Sequence, residues 1–114
     1  MSDLKNYKIV DGSIKDIRIL NNTVEIKFSQ WNEKIITLVF EGYWMLKDNN
    51  SIDIDVSEIS EVTNSLLIDE VKQDIIDGDG SEQEAEDLIQ FTFVGAWDDK
   101  VLLEIVASNV KVLE

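Results

Sequence analysis

Apolar and polar residues alternate with a period of two along several stretches of this chain, and that spacing commits most of it to half-buried β-strands. Val24, Ile26 and Phe28 alternate with Thr23, Glu25 and Lys27, and Ile17 and Ile19 alternate with Asp16 and Arg18. Strand side chains point to opposite faces in turn, so each set turns one apolar face to a core and one polar face to water. Between the two sets, Asn21-Asn22 supplies residues that tolerate positive φ and suit a tight hairpin turn. The pattern returns late in the chain. Ile89, Phe91 and Phe93 alternate with Gln90, Thr92 and Val94, and Val101, Leu103, Ile105 and Ala107 make a return strand. Gly95–Lys100 turns the chain between them, with Asp98-Asp99 at its tip.

The intervening residues are read in the same way. Ser29–Glu33 is a loop, and Lys34–Leu46 is a long strand, apolar on both faces and so expected to be central or covered by a helix. Gly42 marks a bulge within it. Lys47–Ser51 is a turn by composition, and Ile52, Ile54 and Val56 then alternate with Asp53 and Asp55 in a short strand with an acidic outer face. From Val56 the apolar spacing changes to threes, through Ile59 and Val62, which fits either one helical turn or a bulge. Next comes a helix. Ser65 is suited to its N-cap, Asp69 and Glu70 to its positive end, and Leu67, Ile68, Val71, Ile75 and Ile76 form its apolar stripe, with Gly78 as the stop. Asp79–Asp87 is an acidic loop, and Val110 and Val112 suit a short last strand. With sequential hairpins dominating, the expected class is α+β: a mainly antiparallel sheet of about six strands with one helix near residues 66–76. All 114 residues are expected to form a single domain, since no proline and no Gly/Ser linker interrupts them.

Charge is distributed unevenly along this frame. Residues 1–47 carry seven Lys/Arg against six Asp/Glu, a net +1, whereas residues 48–114 carry three against eighteen, a net −15, so the whole of the net −14 comes from the second part. The densest stretch holds nine carboxylates (Asp69, Glu70, Asp74, Asp77, Asp79, Glu82, Glu84, Glu86 and Asp87) and one lysine, Lys72. Such a concentration repels itself and belongs in water or against a cationic partner. It also disfavours direct contact with nucleic acid or an anionic membrane. With 44% apolar residues the chain has the material of a folded core, so its acidity does not make it a disordered polyanion. No signal-peptide pattern opens the sequence and no apolar run approaches the roughly 20 residues of a membrane span, so a cytoplasmic protein is expected.

The residue types offer little catalytic chemistry. Histidine and cysteine are both absent, which removes the commonest general base, the thiolate nucleophile and the usual zinc ligands. The five glycines are scattered and cradle no phosphate. A carboxylate held in an apolar pocket would serve acid–base chemistry, and Glu41 and Glu104 are the carboxylates most closely flanked by apolar neighbours. Both are expected to point outward from strands. The run Asp77–Leu88 matches a calcium-binding loop at its first three ligand positions, Asp77, Asp79 and Ser81, but puts Glu82 where glycine is needed and Leu88 where the bidentate glutamate is needed. No catalytic residue, metal or cofactor is therefore expected.

Three segments, Val10–Ile17, Val24–Phe28 and Leu38–Gly42, together resemble the opening of small β-rich bacterial proteins, some of them similar to the immunity proteins of polymorphic toxin systems. Val10 stands where such proteins often carry a histidine. The resemblance spans residues 8–46 and implies neutralisation of a toxin by tight binding, without catalysis. Together with the charge, it leads to the expectation of a non-catalytic acidic binding protein that captures a basic protein, such as a toxin, through the nine carboxylates of Asp69–Asp87, with Asp53 and Asp55 as additions. The alternatives are an acidic stretch that serves only solubility and repulsion between copies, a DNA mimic that spaces its carboxylates like phosphates, a structural subunit paired through a terminal edge strand, and a small hydrolase built on Glu41 or Glu104.

Overall fold

A computed structural model of the chain describes residues 3–78 and 88–114. After a 3₁₀ turn (Asp3–Asn6) come β1 (Gly12–Leu20), β2 (Thr23–Ser29), β3 (Ile35–Glu41), β4 (Met45–Asp48), β5 (Asp55–Val62), α1 (Leu66–Asp77), β6 (Ile89–Gly95), β7 (Val101–Ala107) and β8 (Asn109–Leu113). Among the described residues there are thus eight strands and one α-helix, in the mainly antiparallel α+β class. All strands belong to one sheet, in the order β4-β7-β6-β5-β1-β2-β3-β8, with every neighbouring pair antiparallel.

Eight strands replace the expected six or so because two long segments are bent. The stretch expected as one strand, Lys34–Leu46, breaks at Gly42, which takes φ +62°. The last segment bends at Ser108, so that β7 and β8 run almost continuously. The two bends lie together. Ser108 donates its backbone N–H to the Glu41 carbonyl at 3.0 Å, and Trp44 donates to the Val106 carbonyl at 2.8 Å. Segment 35–48 therefore pairs with segment 101–113 on both sides of the bend, β3 with β8 and β4 with β7. As β4 and β8 are the two ends of the strand order, this pairing rolls the sheet shut. The opposite seam is slight: β1 meets β5 only through Gly12–Val56 and Ser13–Asp55, beside an isolated bridge from Ile14 to Ile52.

The rolled sheet encloses one main core. Val24, Ile26 and Phe28 of β2 face Ile36, Leu38 and Phe40 of β3, and from the other half come Phe91, Phe93, Leu103 and Ile105, all of them fully buried. Phe40 and Phe91 meet edge to face with ring centres 4.9 Å apart, which joins the halves at their centre. At the slight seam Gly12 is required, because a Cβ there would sit 2.4 Å from the Phe28 ring.

Other local expectations resolve individually. The Asn21-Asn22 turn forms, with Asn21 at φ 53° and Leu20 opposite Thr23. Ile52 and Ile54 do not lie in a strand as expected; both are exposed, and β5 begins only at Asp55. The spacing of threes from Val56 reflects a bulge, since the register with β6 shifts between Val56 and Glu58. Ile19, expected on a buried face, is exposed although it stands opposite the buried Val24; Ile14, before the register shift at Ile14/Asp16, is the fully buried residue of β1.

Helix α1 starts and stops where its capping residues require. The Ser65 hydroxyl accepts the Ile68 N–H at 3.0 Å, and the Gly78 N–H closes back on the Asp74 carbonyl. Ile68, Val71 and Ile75 pack with Leu88 and Val106, and Met45 joins them, so α1 covers the outer side of β7 and β4 in a cluster separate from the main core. Leu67 packs there partly, while Ile76 stays exposed.

Two substitutions test this arrangement. Phe40→Ala should destabilise by about 3–5 kcal/mol, because it removes a fully buried ring and leaves a cavity between the halves. Gly42→Ala should cost about 1–2 kcal/mol for the left-handed backbone alone, with further loss because the new Cβ would lie 2.8 Å from the Ser108 hydroxyl. Urea unfolding measures both; a wild-type midpoint for Gly42→Ala would show that the bend does not need glycine.

Candidate functional site

The outward faces of the described structure divide into one where charge is matched and one where it is not. On the face of β1, β2, β3 and β8, Asp16 stands opposite Lys27, Arg18 opposite Glu25, and Val39 opposite Lys111. Lys111 reaches Glu41 at 3.4 Å, and Glu41 also accepts a hydrogen bond from the Asn109 amide at 2.7 Å. Opposite charges facing each other across antiparallel strands stabilise the pairing. Asp16, Arg18, Glu25, Lys27 and Thr37 line a shallow depression of about 210 Å³ here. Lys15 pairs with Asp53 at 2.9 Å, and Lys34 with Glu114 at 2.7 Å. The Glu114 carboxylate, by hydrogen bond and by charge, raises the Lys34 ammonium pKa above its usual 10.5. The stabilisation from this pair is therefore complete below 10.5 and disappears as pH climbs past the raised value. It is fully exposed to solvent screening.

Helix α1 presents the contrasting surface. At 100° per residue, Asp69, Glu70, Asp74 and Asp77 fall within an arc of about 140° opposite the buried stripe. All four are exposed. Their placement works against the helix itself. Glu70 and Asp74 are like charges four residues apart, Asp74 and Asp77 three apart, and the last turn contains no basic residue. Asp74 and Asp77 sit at the negative end of the helix dipole, where carboxylates are unfavourable. Asp69, in the first turn, is the favourably placed one. Asp77 accepts a 2.9 Å hydrogen bond from the Gln73 amide, which fixes one of its oxygens.

Of the nine carboxylates expected to act together, the structure therefore brings Asp69, Glu70, Asp74 and Asp77 to one helix face. Asp79, Glu82, Glu84, Glu86 and Asp87 lie outside the described residues, as does most of the calcium-loop-like run after Asp77. Of the two additions, Asp53 is bound to Lys15, and Asp55 opens β5, exposed, opposite Ser13. Glu104 stands opposite Lys47 and accepts a 3.1 Å hydrogen bond from Gln90. Glu41 and Glu104 thus both belong to outward strand faces, and neither lines the depression on β1–β3 or the cleft of about 320 Å³ formed by Asn22, Gly42, Tyr43 and Trp44 at the bend. Among the described residues no three carboxylates converge as metal ligands, and no helix is long and apolar enough to cross a membrane.

Sequence reasoning passed over the exposed apolar groups that accompany the acidic surface. Leu66 is 83% exposed at the start of α1, on the carboxylate side, and Trp97 is 85% exposed in the β6–β7 turn. The available signal was an apolar residue at a turn tip or outside the helical stripe. Trp31, by contrast, has a local partner: the Lys8 ammonium lies 4.8 Å from its ring centre.

No family model, curated protein or solved structure matches this chain.

The unmatched carboxylates carry a stability consequence. Raising NaCl from low to moderate concentration should raise the melting temperature by screening repulsion along α1. A flat or falling response in a calorimetric series would mean that these groups are already well separated or paired.

Proposed function

We propose that this chain is a non-catalytic binding protein that captures a basic protein partner through the acidic face of α1, in the manner of an immunity or inhibitor protein. The observation that carries the reading is the placement of Asp74 and Asp77. Net negative charge alone would give solubility wherever it lay. These carboxylates instead occupy a helix end that disfavours them, beside like charges, while the carboxylates on the outward face of β1, β2 and β3 stand near cations. Local costs of this kind concentrate where a surface serves a partner rather than the fold. A basic partner would relieve the repulsion on binding, and the negative field would steer its approach, raising the association rate by orders of magnitude at low salt. The five carboxylates from Asp79 to Asp87 extend the same run in sequence. A basic toxin acting in the cytoplasm is the kind of partner this reading favours.

Two measurements test it. Asp74→Lys puts a cation four residues after Glu70 and near the helix C-terminus. It should therefore stabilise the protein by about 0.5–1 kcal/mol while weakening capture of the partner. Affinity capture from the native cell at low and high salt identifies that partner, and stopped-flow association across ionic strengths then gives the mechanism. A captured partner that is not basic, or an association rate indifferent to salt, overturns the proposal.

A further inference from the structure

The β6–β7 hairpin carries α1 against its outer side at Val106, and ends at its other extremity in a turn that exposes Trp97. This tip is rigidly built. Gly95 donates to the Lys100 carbonyl at 2.8 Å, Ala96 to the Asp55 carbonyl at 2.9 Å, and the Lys100 N–H to the Asp98 carboxylate at 3.1 Å. Asp99 takes the left-handed conformation, φ 54°, that completes the turn. The neighbouring loop is tied alongside by Asn49, whose N–H reaches the Leu102 carbonyl at 2.9 Å and whose amide reaches the Val101 carbonyl at 3.3 Å. Ile54, in the neighbouring loop, and Val101, the first residue of β7, are each about two-fifths exposed. Asp53, Asp98 and Asp99 belong to the two loops and Asp55 opens β5 beside them, with Lys100 in the turn and Lys15 joined to Asp53.

The fixed turn that carries Trp97 has already lost the backbone freedom that binding would otherwise remove. Tryptophan is also among the residues that most often dominate protein interfaces, seated in an apolar pocket of the partner. The aspartates around it select the charge of that pocket's rim. Val101 lies five residues along β7 from Val106, or about 17 Å at the rise of a strand. The tip and the place where α1 packs thus stand at the two ends of one hairpin.

We propose that Trp97 is the apolar anchor of the docking surface, seated in a hydrophobic pocket rimmed by basic side chains, with Asp98 and Asp99 as its immediate charge contacts. This rests on the reading of α1 as the capture face for a basic protein, and it adds a second, apolar contact with its own readout.

The test uses two probes of equal length and equal lysine count, a lysine–serine peptide and a lysine–leucine peptide, titrated against the full chain. In a Trp31→Phe, Trp44→Phe background, Trp97 alone reports by its emission. The lysine–leucine peptide should bind about tenfold or more tightly than the lysine–serine peptide and shift that emission to shorter wavelength, and Trp97→Ala in the native background should abolish the preference. Asp98→Asn keeps the oxygen that accepts from Lys100, and Asp99→Asn suits a left-handed backbone. Both variants should hold the turn, while slowing association of both peptides several-fold at low salt. Equal binding of the two peptides by the wild type, or a preference that survives Trp97→Ala, overturns the proposal. So does a dimer, or binding to phosphatidylcholine vesicles, that requires Trp97 while the peptides do not bind. The two surfaces separate cleanly. If Asp74→Lys weakens both peptides but Trp97→Ala leaves the leucine preference, the helix reading stands and the anchor fails; the reverse pattern retains the anchor and removes the helix.

Discussion

The pairing of segment 35–48 with segment 101–113 is the constraint on which the rest of the structure depends. Without the bend shared by Gly42 and Ser108, β4 and β8 would be the free ends of a flat eight-stranded sheet. Joined through that bend, the sheet encloses its own inner face, and Phe40 meets Phe91 across the interior. The bend relies on glycine in the left-handed region at one position and on a small side chain at the other. At Gly42 a Cβ would press on the Ser108 hydroxyl, so the two positions are fitted to each other. The β1–β5 seam, with only two residue pairs, contributes far less to closure.

Closure also explains why unfavourable charge falls on α1. The strands of the main core hold outward-facing charges at fixed cross-strand distances, and like charges directly opposite would weaken the pairing itself. There the sequence alternates sign, as Asp16 with Lys27 and Arg18 with Glu25. The helix is secured separately, by Ile68, Val71 and Ile75 against Leu88 and Val106, and its outer surface takes no part in the sheet. Repulsion along α1 is thus confined to an appended element, away from the ladders that close the fold.

How much of this is legible in the sequence depends on the range of each cause. The Asn21-Asn22 hairpin, the Ser65 and Gly78 caps and the β6–β7 turn are set by residues within a few positions of one another, and those expectations agree with the structure. The bulge after Val56 left a real signal, apolar residues three apart, but periodicity alone does not separate it from a helical turn. What stayed hidden was long-range. Nothing local to Lys34–Leu46 reveals that its second half pairs with β7, because the reason lies at Ser108, more than sixty residues later. Ile52 and Ile54 alternate as a strand would, yet only an isolated bridge at Ile52 replaces the ladder, so both remain exposed. At the candidate site, charge counting located the carboxylates of α1 but not the dipole and neighbour effects that set them apart from those of the sheet. Trp97 falls within the expected Gly95–Lys100 turn, but composition does not tell whether an indole there folds back on the core or stays in water.

The acidic helix and the exposed tryptophan pull in opposite directions if solubility is their purpose. A net charge of −14 keeps copies apart, whereas an indole exposed at a rigid tip favours association with apolar surfaces. Protection against aggregation would be served by charge placed anywhere, and by a polar residue at position 97. Carboxylates set against a helix dipole and tryptophan held away from the core make sense together when a single partner supplies both the cations and the pocket. Such a partner relieves the repulsion on α1 and removes the indole from water in one event, so the two local costs become two sources of affinity.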